Sequence, residues 1–144
     1  MFSKSCEYGI KATLYIASNS FNGRRVSLTD ISENINSPKA FTAKILQHLS
    51  RHGIIQSVKG PTGGFETHLS EMSKIKLSSI VQAFDGDEIY NGCGLGLSEC
   101  NDNKPCPVHS RFKKIREELK RMLETTSVFD LTTGLAEGLT FLKH

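Results

Sequence analysis

The sequence predicts a mainly α-helical chain with a small β wing, arranged as a winged helix-turn-helix domain plus a long dimerisation helix. Three observations carry that prediction. Two short amphipathic segments are separated by a turn of a few residues, an alternating segment then runs into a Gly-Pro-Thr-Gly-Gly turn, and late in the chain apolar residues recur at heptad intervals. With 144 residues, 38% hydrophobic and 23% charged, there is enough apolar side chain for one core and too little bias for disorder.

Tyr8 to Ser20 reads as the first helix, with Ile10, Leu14 and Ala17 at helical spacing and Asn22-Gly23 as its stop. Ser27 stands three residues before Asp30, the signature of a capped start, and Leu28, Ile31 and Ile35 then form the apolar edge of a short second helix. Ser37-Pro38 offers a cap followed by a proline at the first helical position, where a missing N–H costs nothing. The third helix starts there, buries Thr42, Ile45, Leu46 and Leu49, and ends at Gly53. Its other edge presents Lys39, Ala40, Ala43, Lys44 and Gln47. A helix pair whose second member has a polar, basic outer face is the arrangement that enters a DNA major groove.

Ile54 to Lys59 has a strand pattern, Gly60 to Gly64 is a turn, and Phe65 to Leu69 returns as a second strand. Glycines and a proline let this hairpin wing lie close to another surface, so Lys59, Gly60, Pro61 and Thr62 are expected at the DNA backbone or a narrow minor groove. A nucleotide-binding loop is the rival reading, but no Gly-Lys-Ser/Thr follows and the segment leaves toward a strand.

Lys76 to Phe84 reads as a short helix stopped by Asp85-Gly86, and periodicity then disappears as far as Pro107. Val108, Phe112, Ile115, Leu119 and Met122 make a heptad seam flanked by charges, which points to a homodimer; symmetric pairs are also how reading helices usually work. Leu131 to Leu142 reads as a last, poorly patterned helix. The expected division is therefore 1–84 for DNA binding, 85–107 as a cysteine-rich loop, and 108–144 for dimerisation.

The net charge of +3 is uneven: residues 1–84 hold ten lysines and arginines against five acids, whereas the remainder is net acidic. A basic front half suits a polyanionic partner, double-stranded DNA on this reading. The longest uncharged stretch near the start, Ala12 to Gly23, is too short and too polar to span a membrane, and no secretory signal is visible. A cytoplasmic protein without a membrane partner is expected.

Of four cysteines, Cys93, Cys100 and Cys106 fall in one short stretch with His109 just beyond, while Cys6 stands alone. In a reducing compartment such a cluster favours metal or redox chemistry over disulfides. The close cysteine pair of a zinc knuckle is absent, and the long spacings on a glycine-rich loop suit a bulkier iron-sulfur cluster; zinc and a metal-free thiol switch remain as alternatives. The fourth ligand is then His109, or a residue from elsewhere such as Glu7 or Cys6. No Cys-x-x-Cys pair or companion acid supports a redox enzyme, so no catalytic residue is expected.

The order of parts resembles the Rrf-type (IscR- and NsrR-like) winged helix-turn-helix iron-sulfur transcription regulators. The resemblance covers nearly the whole chain and rests on Lys59-Gly60-Pro61-Thr62-Gly63-Gly64-Phe65, the cysteine triplet, Glu7-Tyr8-Gly9-Ile10-Lys11-Ala12 and Gly53-Ile54-Ile55. It implies a homodimeric regulator, in most cases a repressor, on a roughly palindromic operator, with one cluster per subunit controlling operator affinity. Cys93, Cys100 and Cys106 match the family's cysteine ligands; His109 matches the histidine that completes a two-iron two-sulfur cluster in one branch, and Glu7 lies where another branch supplies a carboxylate from the partner subunit. Two departures stand out: six residues separate Cys93 from Cys100 where relatives commonly have five, and Ala43-Lys44 replaces Glu-Gln on the third helix. The second changes the side chains that set base preference.

Overall fold

In the computed structural model, residues 1–143 are described, so the last residue of the 108–144 segment lies outside them. The first helix, α1 (Lys4–Phe21), runs through the centre of the molecule and buries Ala12, Thr13, Leu14, Ile16 and Ala17. It begins four residues before the expected Tyr8. Ser3 explains the difference, because its hydroxyl accepts from the Cys6 N–H at 3.1 Å and caps the added turn. Asp85 in turn holds Ser3, accepting from its N–H at 2.9 Å and from its hydroxyl.

The second helix, α2 (Leu28–Asn34), starts with the capping box that the Ser27-Asp30 spacing predicts. A turn through Asn36, at φ 53°, leads into α3 (Lys39–Arg51), which buries the four predicted core residues. The start of α3 differs from expectation. Pro38 is the cap position itself, no side chain caps the helix, and the Ser37 hydroxyl is buried without a hydrogen-bond partner. The left-handed residue at Asn36 sets the Ser37 N–H on the Ser32 carbonyl, 3.0 Å away, so the chain enters the helix one residue later.

The wing is narrower than predicted. β1 (Gln56–Val58) pairs antiparallel with β2 (Gly64–Glu66), and Val26 adds a bridge to Phe65. Ile54 and Ile55 are both buried, which two consecutive residues of a two-faced strand cannot be; they fill the core before the strand begins. On the return side the Thr67 N–H donates to the Ser20 hydroxyl at 3.0 Å, ending the strand, and Leu69 opens the single turn α4 (Leu69–Met72).

α5 (Leu77–Asp85) ends at Gly86, φ 68°, as Asp85-Gly86 predicts, and a further turn, α6 (Glu88–Asn91), interrupts the expected loop. α7 (His109–Thr125) is the heptad helix. α8 (Val128–Ala136) starts three residues before Leu131 and ends well short of Leu142, because Ser127 and Asp130 form a second capping box and Gly138, at φ 70°, closes the far end. The corner between α7 and α8 is tied to the rest of the chain: the Leu77 N–H donates to the Thr126 carbonyl and the Val128 N–H to that of Ile75. α8 itself packs on α1.

α7 has two apolar faces. Leu123 is fully buried in the chain's own core and Leu119 packs against it. Ile115 and Met122, on the neighbouring stripe, are 60% and 45% exposed.

Candidate functional site

Two surfaces gather the residues singled out in the sequence. On the first, Lys39, Ala40, Ala43, Lys44 and Gln47 all lie exposed along α3, and Lys59, Gly60, Pro61 and Thr62 are exposed at the wing. Among the described residues, Lys39, Lys44 and Lys59 have no ion-pair partner, so their charge is open to an outside anion. Arg25 is passed over by sequence reasoning. Its Nε donates to Glu66 Oε2 at 2.9 Å and its Nη1 to the Thr62 carbonyl at 3.2 Å, clamping the hairpin from beside the Val26–Phe65 bridge.

The second surface lies at the start of α7, where the loop closes onto the helix. Gly94 sits on the Phe112 ring so tightly that a Cβ there would come within 2.6 Å of it. His109, only 7% exposed, places Nδ1 3.4 Å from the Cys100 sulfur while Nε2 faces Asp102 Oδ1 at 2.7 Å. The Lys113 ammonium donates to the same carboxylate oxygen at 2.9 Å. Hydrogen bonds from His109 and Lys113 hold the Asp102 carboxyl below the usual range, and Asp102 raises Lys113 in return. Arg116 donates from Nη2 to the Cys100 sulfur at 3.0 Å and from Nη1 to the Gly92 carbonyl. Asp102, Lys113 and Arg116 are further residues that motif reading does not reach, although His109, Lys113 and Arg116 share one stripe of α7 at i, i+4 and i+7.

Cys93 differs from Cys100. Its sulfur accepts from the Leu95 N–H at 3.4 Å, and the amides of Leu95 and Leu97 bring its pKa below that of an ordinary thiol, with smaller contributions from the Cys106 thiol and Arg116. Cys100 and His109 are thus in direct contact, and Cys106 is near enough to Cys93 to add slightly to the lowering of its thiol. Among the described residues, no three histidine, cysteine, aspartate or glutamate side chains come close enough to hold one metal ion. Cys6 and Glu7 are placed elsewhere. Cys6 is fully buried, and burial with the nearby Asp85 charge pushes its thiol up to about 12. Glu7 pairs with Lys4 at 3.1 Å.

A sequence model of the family described as Rrf2, iron-dependent transcriptional regulator, matches residues 2–134. The chain belongs to the Rrf2 family. A protein of Aquifex aeolicus (strain VF5) named as an HTH-type transcriptional regulator is 31% identical to this Rrf2 chain over 133 residues, covering 91% of this chain and 90% of the relative. The HTH-type transcriptional regulator IscR of Klebsiella pneumoniae (strain 342) is 27% identical over 127 residues, 88% of this chain and 76% of the relative. Among solved structures, CymR, the global cysteine regulator of B. subtilis, superposes with a TM-score of 0.73 at 20% identity, covering 92% of this chain and 96% of that one. T. potens IscR does so at 0.72 and 19%, covering 99% and 93%. The winged-helix fold expected from the sequence is the fold of these neighbours, and the chain is a transcriptional regulator of the Rrf2 type. No described helix is long and apolar enough to cross a membrane.

Proposed function

We propose that this Rrf2 chain is a homodimeric repressor whose affinity for a roughly palindromic operator is set by an iron-sulfur cluster held on the loop before α7. The observation that carries the reading is the contact of Cys100 with His109, 3.4 Å from sulfur to Nδ1, on the stretch that also holds Cys93 and Cys106. A two-iron two-sulfur cluster takes two protein ligands at each iron; Cys100 with His109 would supply one iron, and Cys93 with Cys106 the other. Zinc asks for four donors around one centre, and among the described residues no three of these side chains come that close. His109 is favoured over Glu7 as fourth ligand, because it already faces Cys100 and has its ring oriented by Asp102, the outer partner that a ligating histidine usually has.

A bound cluster supplies one-electron redox chemistry and lability toward oxidants or nitric oxide. The chain's own residues do the rest: the Leu95 and Leu97 amides and the Arg116 guanidinium donate to sulfur, and Arg116 ties the loop to α7 through Gly92. On this proposal residues 1–84 read DNA, 85–107 hold the cluster and 108–144 pair two copies. Two α3 helices then lie in successive major grooves, with Lys39, Lys44 and Lys59 on phosphates or base edges. Protein purified without oxygen should be coloured and carry iron and acid-labile sulfide, and Cys106→Ala should lose both. Stoichiometric zinc in that sample, or no metal, would overturn the cluster.

A cluster-free regulator responding to thiol oxidation is the second reading. It is favoured by the lowered Cys93 thiol and by the likeness to CymR, of which an oxidized form from Staphylococcus aureus is also a structural neighbour at TM-score 0.68. For the DNA face, Lys59→Ala is expected to weaken operator binding and reduce the slope of log affinity against log salt by about one unit, as the loss of one phosphate contact requires. A titration of binding against salt checks it; an unchanged slope removes Lys59 from the phosphate contacts.

A further inference from the structure

We infer that His48 is a positioning residue that relays the state of the cysteine loop to the DNA-reading helix. The inference rests on the proposed DNA-binding role of α3 and adds the route by which the loop reaches it. His48 lies on α3, half-buried, one turn beyond Lys44. Its Nε2–H donates to the Ala83 carbonyl in the last turn of α5, and its ring packs 4.7 Å from that of Phe84. His52, one turn further along, packs its ring 4.5 Å from His48 and bonds through Nδ1 to the His48 carbonyl at 2.9 Å. The C-terminal end of α3 is thus fastened to the C-terminal end of α5 by a histidine that both donates to the Ala83 carbonyl and packs on the Phe84 ring.

The same turn of α5 has little freedom of its own. Phe84 fills the notch left by Gly9 on α1, where a Cβ would lie 2.4 Å from its ring, and Asp85 holds both the N–H and the hydroxyl of Ser3. Gly86, at φ 68°, follows at once, then α6, then Gly92, whose carbonyl Arg116 holds while also donating to Cys100. A shift at Cys100 or Gly92 therefore passes through one short helix and a left-handed glycine into the last turn of α5, which moves as one piece and carries Ala83 with it against His48. Packed interfaces of this kind switch between discrete arrangements more readily than they deform.

The experiment is a double-mutant cycle on the full chain, read as affinity for an operator duplex selected from a random-sequence library. Arg116→Ala loosens the loop at a residue that does not touch His48. The relay requires that Arg116→Ala change operator affinity by about fivefold or more in the wild-type background. In His48→Leu, which keeps bulk but loses the donor, the same change should shrink to within about twofold, the scatter expected even of strictly additive effects, and His48→Gln, which keeps a donor, should restore it. Equal effects of Arg116→Ala in the wild-type and His48→Leu backgrounds, or no effect in either, overturn the relay. Hydrogen exchange provides a second reading that does not depend on His48→Leu folding: with the relay, Arg116→Ala speeds exchange at residues 48–52 of the otherwise wild-type protein, and unchanged protection there counts against it. Failure of the wild-type protein to select any duplex instead defeats the DNA-binding reading.

Discussion

Ile115→Asp is expected to give a folded monomer that binds its operator about 10²- to 10⁴-fold more weakly than the wild type, the loss that follows when two linked half-site contacts become independent. The expectation comes from the split character of α7. Leu123 and Leu119 face the chain's own core, so the helix stays docked without any partner. Ile115 and Met122 stand on another stripe that is largely open, and Ile115, at 60% exposure, is the more open of the two. Each such side chain gains about 1.5–3 kcal/mol on full burial, and a two-fold axis counts every contact twice. An aspartate there is solvated in the monomer but faces its own copy or an apolar surface in the dimer. Sedimentation velocity with far-UV circular dichroism reads both halves: a smaller particle with unchanged helix content is expected, and a dimer that persists at micromolar concentration places the interface elsewhere.

The α7 seam shows how far sequence reasoning extends. Heptad spacing marks Phe112, Ile115, Leu119 and Met122 as apolar, but it cannot say which of two surfaces each meets, and Leu123, the most buried residue of the helix, lies outside that register. Local signals fare better where the chemistry is local. Ser27 and Asp30 predict a capping box because both partners belong to the same turn. Ser127 and Asp130 carry an identical signature, while apolar spacing alone starts that helix at Leu131. The sulfur site divides in the same way: the cysteines and His109 are visible as ligand types, and the Lys113–Arg116 stripe is visible as helical spacing. The contact of Asp102 with His109, however, depends on a loop without periodicity closing onto α7. Charges on a helix flank ordinarily read as solvated, which hides the guanidinium that grips both Gly92 and Cys100.

Gly63→Ala tests the wing without adding or removing charge. At Gly63 a Cβ would stand 2.1 Å from the Val58 carbonyl oxygen and 2.9 Å from that of Gly60, and neither is a flexible side chain that could yield. The Gly63 N–H also donates to the Gly60 carbonyl at 3.0 Å, so the clash falls inside the turn that sets the hairpin's shape. Overpacking of this kind costs about 1–3 kcal/mol. The core need not bear that cost, because the hairpin can open: Phe65 remains pinned by Val26, and Ile54 and Ile55 sit below the strands. The free protein should then keep its thermal midpoint within a few degrees while the wing's amides lose protection from exchange. DNA binding has to close the wing again, so the same energy reappears as an operator affinity lowered by about 5- to 150-fold. Gly60→Ala separates this clash from general intolerance of the turn, since Gly60 has a positive φ of 105° but open space around it, and it should suffer backbone strain without steric overlap. Should Gly63→Ala bind the operator as tightly as wild type while its wing amides exchange freely, an ordered wing contributes nothing to DNA affinity.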